Sequence, residues 1–162
     1  MSAAGISSQP GLRQSRVAAL AVAALGIYLE IVEWVDLSPW NKFVDGSNGQ
    51  EMLDVALGAG LALLALALWR GGRLAALAAT AGLAAWAWLQ IDTFWIPFFQ
   101  GASPAWRRAY EKWFGDTVHW IPASGDRLPP DANHLVLQIL IVAALALALN
   151  ALFAALRRPR AA

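Results

Sequence analysis

Cysteine is absent from all 162 residues, which excludes disulfides, thiolate metal sites and cysteine nucleophiles. Charge is scarce as well. Asp, Glu, Lys and Arg make up 14% of the chain and leave a net charge of +1, too little field to gather nucleic acid or an acidic partner. Catalysis, if any, then uses carboxylates, the two histidines or hydroxyls. The phosphate loop, dinucleotide fingerprint, nucleophile elbow and zinc-protease signature are missing, and no basic patch marks a nucleic-acid surface.

Apolar sequence dominates instead, at 59% of residues. Four segments stand out, residues 17–35, 52–69, 74–94 and 135–156. Each approaches the ~20 residues that carry a helix across a ~30 Å hydrocarbon core. Four such helices in so short a chain leave too little polar surface to cover them in water. The expected fold is therefore an all-α integral membrane protein, a single domain over residues 1–162 built as a four-transmembrane-helix bundle. The first apolar run has no small-residue cleavage site ahead of Tyr28, Glu30 and Glu33, and reads as a retained span rather than a removed signal peptide.

Arg13 and Arg16 precede span one, Arg70 and Arg73 join spans two and three, and Arg157, Arg158 and Arg160 follow span four. All lie on one side, whereas Lys42, Arg107, Arg108, Lys112 and Arg127 on the other are interspersed with acids. The positive-inside rule places both termini in the cytoplasm, in a bacterial inner membrane with loops 36–51 and 96–133 facing the periplasm or exterior. Those loops hold most of the turn chemistry. Ser103-Pro104 and Gly115 bound a predicted short helix over 104–114, whose Trp106, Tyr110 and Trp113 share a face and suit the membrane interface. Asp131 is the expected N-cap of span four, and Asn48-Gly-Gln-Glu51 has capping-box spacing at span two. With Trp34, Trp40, Trp95 and Trp120, the outer side holds six of the nine tryptophans, the pattern of an aromatic belt.

Carboxylates inside spans require explanation, since Asp at mid-helix costs roughly 2.5–3.5 kcal/mol on insertion scales. Thirteen residues without a charge, Val17 to Leu29, rise only ~20 Å, which leaves Glu30 within the hydrocarbon core. Glu33 lies one turn higher and shares its stripe. Asp54 joins from span two. On span three, Gln90 and Asp92 point to nearly opposite faces, and Asp92, which shares its side with Trp88 and Trp95, is the preferred member. His134 and Gln138 stack at i, i+4 on span four. Each helix thus contributes polarity at one depth, while the inner halves are Ala, Leu, Val and Gly apart from Thr80 and Asn150.

Three functions compete for this constellation. In the first, Glu30, Glu33 and Asp92 are catalytic and Asp54, Trp88, Trp95, His134 and Gln138 bind a lipophilic ligand from the outer leaflet, as in a membrane isomerase, cyclase or hydrolase. A divalent metal on Glu30, Glu33, Asp54 and His134 is a variant, disfavoured by the lack of paired Glu-x-x-His motifs. In the second, the chain is an accessory subunit of a membrane complex or a homo-oligomer, its carboxylates pairing with a membrane-protein partner's basic residues or bracing the outer loops. Small residues such as Gly58 and Ala62 then allow close helix packing within the bundle or to neighbours. The third, proton or cation transport, lacks a polar relay through the inner half. Simpler roles also exist: Glu51, Asp54 and Asp131 as helix-start residues, Asp36 and Asp92 as solvated acids, and His119 and His134 as ordinary interfacial histidines.

Overall fold

The computed structural model describes residues 10–41 and 48–157. Lys42, Arg158, Arg160 and the side chains of the predicted Asn48/Glu51 capping box lie outside the described part. Among the described residues the chain is helical with no strand: α1 Pro10–Trp34, α2 Asn48–Arg70, α3 Arg73–Gln90, a π-helical turn Ile91–Trp95, α4 Ile96–Gln100, α5 Pro104–Phe114 and α6 Ala132–Leu156. Four stretches are long and apolar enough to cross a membrane, Gly11–Trp34, Met52–Arg70, Arg73–Gln100 and Ala132–Leu156. They are consistent with a multi-pass membrane protein and imply a lipid bilayer around it.

On α6 small residues face the bundle and several large apolar ones face outward. Ala144, Ala148 and Ala151 of α6 are buried, while Ile139, Val142 and Phe153 on the same helix are more than half exposed. Small residues at helix contacts and large apolar residues outside are what lipid selects, because burial against another helix gives no hydrophobic gain over burial in lipid. The core gathers Val22 and Leu25 of α1, Leu61 and Leu68 of α2, Leu83 of α3, and Ile141 with its alanine neighbours on α6. α1 packs on α2 and α6, α6 also packs on α3, and α2 meets α3 over much less length.

At one end, the turn end, α2 and α3 are joined by Gly71 and Gly72 alone, at φ 80° and 134°. Both angles lie where a Cβ is strained, so the short connection needs glycine. Ser15 Oγ donates to the Leu68 carbonyl at 2.5 Å, the Arg73 guanidinium to the Ala155 carbonyl at 2.8 Å, and Arg16 lies 5.3 Å from the Trp69 ring. The Ser15 and Arg73 bonds engage carbonyls in the last turns of α2 and α6, where intrahelical donors run out.

Span three runs beyond its predicted limit at residue 94. Pro97 has no N–H and would clash with a carbonyl one turn earlier. The helix widens instead: the Ile96 N–H reaches back to Ile91, a π turn that lets the chain continue through Gln100. The predicted loop 96–133 therefore starts with helix, and Gly101, at φ 93°, ends it.

The opposite, loop end is a folded cap. Asn41 is buried, and its amide donates to the carbonyls of Val32 and Val35 while accepting the Leu37 N–H at 2.8 Å. One side chain thus closes the C-terminus of α1, which no glycine does here. Val118 donates to the Pro39 carbonyl at 3.0 Å and accepts from the Ala132 N–H at 2.7 Å, which ties the first loop to the second and to the start of α6. Trp40 meets Trp120 edge to face at 5.7 Å.

Candidate functional site

The loop end of the bundle collects three polar groupings, each set by a different helix contact. The first lies between α1 and α2, which run antiparallel. Ser15 touches Leu68, a Cβ on Gly26 would stand 3.4 Å from that of Leu61, the Glu30 carboxylate lies against Gly58, and Glu33 is within electrostatic reach of Asp54. Each step up α1 is a step down α2, so a contact that begins apolar becomes acidic near Gly58. Glu30 and Asp54 are half-buried and Glu33 is exposed. The Trp34 indole N–H donates to Glu30 Oε2 at 2.9 Å, while Glu33 also feels the charges of Glu30 and His134.

The second grouping is centred on His134. Asp131 caps α6, with Oδ1 accepting the His134 backbone N–H at 2.8 Å, and the same oxygen holds the His134 ring at Nδ1, 2.7 Å away. The Asp131 side chain is 2% exposed and that of His134 21%. Burial alone would push the Asp131 carboxyl up. The hydrogen bonds and charge of His134, helped by Thr117, outweigh burial and hold it below the usual carboxylate range. Phe94 and Phe114 stand 4.6 and 4.9 Å from the imidazole, so the ring is fixed by packing as well as by the carboxylate. With Nδ1 on Asp131, Nε2 is the ring nitrogen that this carboxylate does not engage.

The third joins α3 to α6. The Trp95 indole donates to Gln138 Oε1 at 2.9 Å, and Gln138 Nε2 donates to Gln90 Oε1 at 3.2 Å. Of the two span-three candidates, Gln90 is the one brought to α6; Asp92 is exposed, as is Trp88 at 63%. Gln90 and Asp92 do diverge, as their spacing requires, but the inward side is the amide's. Among the described residues, no three of His, Asp or Glu converge as ligands that could hold a metal.

Several contributors were not singled out by sequence. The Tyr28 hydroxyl donates to Asn133 Oδ1 at 2.6 Å and accepts from the Trp40 indole at 3.2 Å, linking α1, the first loop and the start of α6. A polar tip on an otherwise apolar helix was the available signal. The helix over 104–114 forms with Ser103 capping it through the Trp106 N–H. Its inward face, however, is Trp106, Tyr110 and Phe114, packed with Phe94, while Trp113 is exposed beneath Lys112. Gly115 follows in ordinary helical geometry rather than a left-handed turn.

Tyr110 is buried and its hydroxyl donates to the Pro129 carbonyl at 2.6 Å. Burial, then the nearby charges of Asp131 and Glu111, push the phenol above its ordinary value of 10.0. A raised phenol contributes stability that is complete below that value and is lost at higher pH, once the unfolded chain ionises and the folded one resists. Tyr110→Phe is expected to cost about 0.5–1.5 kcal/mol at neutral pH and to remove this part of the alkaline loss. Unfolding followed by tryptophan fluorescence from pH 8 to 12 (roughly bracketing phenol ionisation) checks it, and identical alkaline slopes in the two proteins would exclude the assignment.

Comparison with protein-family models, with curated proteins and with solved structures finds no match to this chain.

Proposed function

We propose that this chain is a membrane-embedded acid/base protein that binds a lipophilic ligand through its polar head and acts on it by proton transfer at the loop end of the bundle. The orientation that fits is termini in the cytoplasm and loop end outward in a bacterial inner membrane, from the arginines at the turn end. The observation that carries the reading is the Asp131–His134 pair. A nearly inaccessible carboxylate fixes the imidazole tautomer, as an orienting acid does for a general base, and Glu33 lies within electrostatic reach across from it. His134 Nε2 takes and returns the proton, Glu33 with Glu30 and Asp54 supplies the complementary acid or stabilises positive charge, and the Trp95–Gln138–Gln90 chain anchors a polar group. The limited contact between α2 and α3 favours access from the bilayer, where an alkyl chain can stay in lipid.

Transport is less well supported, because among the described residues the turn-end half offers no relay: Thr80 donates within its own helix to Ala76, and Asn150 is exposed. An accessory role draws on α2, where residues 52–60 are exposed apart from Asp54 and Gly58. Native mass spectrometry of gently extracted protein separates the readings. A bound amphiphile in stoichiometric amount, lost in His134→Gln and Glu33→Gln with the fold retained, is the expected result. Equal retention by both variants and the parent would exclude the acid/base site, and a stoichiometric protein partner with no amphiphile would establish the accessory role.

A further inference from the structure

We infer that Gly58 is a positioning residue, the notch in α2 that seats the Glu30 carboxylate between α1 and α2; this deepens the acid/base reading above and rests on it for the role of Glu30. A Cβ built on Gly58 would fall 1.6 Å from Glu30 Oε1 and 2.7 Å from its carboxyl carbon. Neither separation is compatible with two bonded frameworks, so one carboxylate oxygen occupies the volume that any other amino acid would fill. The second oxygen is held from above by the Trp34 indole at 2.9 Å. Glu30 is therefore clamped between a bare stretch of α2 backbone and a tryptophan one turn further along its own helix.

Backbone conformation gives no competing reason for the glycine, since Gly58 lies inside α2 and is not among the positive-φ glycines. Intrinsic propensity argues against it, because alanine stabilises a helix interior relative to glycine. Gly60, two residues along, is the natural control: a Cβ there meets nothing within 4 Å. The ladder below and above fixes the notch in place. Gly26 against Leu61 brings the helices close on the turn side, and on the loop side Asp54 of α2 lies within electrostatic reach of Glu33 of α1. Withdrawing Glu30 from its seat would leave the deepest carboxylate of the group without its fixed position relative to Glu33.

The test reads Glu30 through Trp34. The indole N–H resonance of Trp34, identified by its disappearance in Trp34→Phe, reports whether its acceptor is in place. In Gly58→Ala it is expected to move to the position found in Glu30→Ala, while Gly60→Ala leaves it at the parent position. An unmoved resonance in Gly58→Ala overturns the proposal. Should Gly58→Ala fail to fold, Glu30→Asp added to it shortens the acid by one methylene and is expected to restore the fold; failure of that rescue also overturns it. Amphiphile retention measured on the same samples tests the acid/base reading separately. A parent protein that retains nothing defeats that reading and leaves the Trp34 result to decide the notch.

Discussion

Asp131→Ala is expected to lower stability by roughly 2–4 kcal/mol, the largest loss from any single change in the cap. Two effects combine. Removing an N-cap acceptor costs about 0.5–2 kcal/mol, and removing a charge-assisted hydrogen bond to the buried side of an imidazole about 1.5–3 kcal/mol. Because Oδ1 serves both the backbone N–H and the ring of His134, the two are lost together and do not simply add. Asp131→Asn keeps an acceptor without the charge and is expected to recover about half of the loss. The pH dependence carries its own sign. The carboxyl lies below its ordinary value of 3.8 in the folded chain, so its contribution is complete above that pH and is lost as pH falls further, where the unfolded chain protonates first. Acid unfolding in detergent, followed through the tryptophans, is expected to show this dependence in the parent and not in Asp131→Asn. Equal stabilities for the parent and the asparagine variant would show that the His134 ring gains nothing from the charge of the carboxylate.

The same pair marks the limit of what could be read from the chain itself. Asp131 is legible as an N-cap because a polar residue after Pro129-Pro130 and before an apolar run has one obvious use. That its carboxylate also orients His134 is decided by the ring's rotamer and by Phe94 and Phe114, which come from other elements. The four spans are legible because apolar length alone carries that information. Their ends are less so: α1 begins at Pro10, before the predicted residue 17, because Arg13 and Arg16 prolong the helix past the apolar run. The choice of Asp92 over Gln90 rested on a face shared with Trp88 and Trp95, which takes the helix to keep its regular period. Pro97 introduces a π turn just there, and the inward position goes to the residue that finds an amide partner on α6. Glu30 was legible as an anomaly of depth, whereas its seat required knowing that residue 58 of another helix is its neighbour.

Depth also explains why the two ends differ. At the turn end, Ser15 and Arg73 donate to carbonyls in the last turns of other helices and Thr80 to its own helix. At the loop end, Tyr28, Asn133, Gln138, Gln90 and Trp95 bond to side chains across helices. Networks of that kind give a fixed arrangement only if each member is satisfied. Under the proposed acid/base function, this cross-helix network is what sets the polar groups of the loop end relative to one another.

Ala148→Leu is expected to destabilise the bundle by about 1–3 kcal/mol, and the double change with Ala144→Leu by more than either alone. Both alanines are wholly buried on α6, the helix that packs against α1 on one side and α3 on the other, so an added isobutyl group has no direction in which to yield. In water, extra apolar volume in a core brings some hydrophobic gain to offset the strain. In lipid it brings little, because the leucine is equally well solvated when the helices part. Val142→Ala, on the exposed side of the same helix at 59%, is the matched control and is expected to change stability by less than about 0.5 kcal/mol. Unfolding in mixed micelles with increasing dodecyl sulfate, read by tryptophan fluorescence, gives both values in one format. A tolerated leucine at 148 together with a costly alanine at 142 would reverse the inside and outside of α6, and with them the face on which His134 and Gln138 meet their partners.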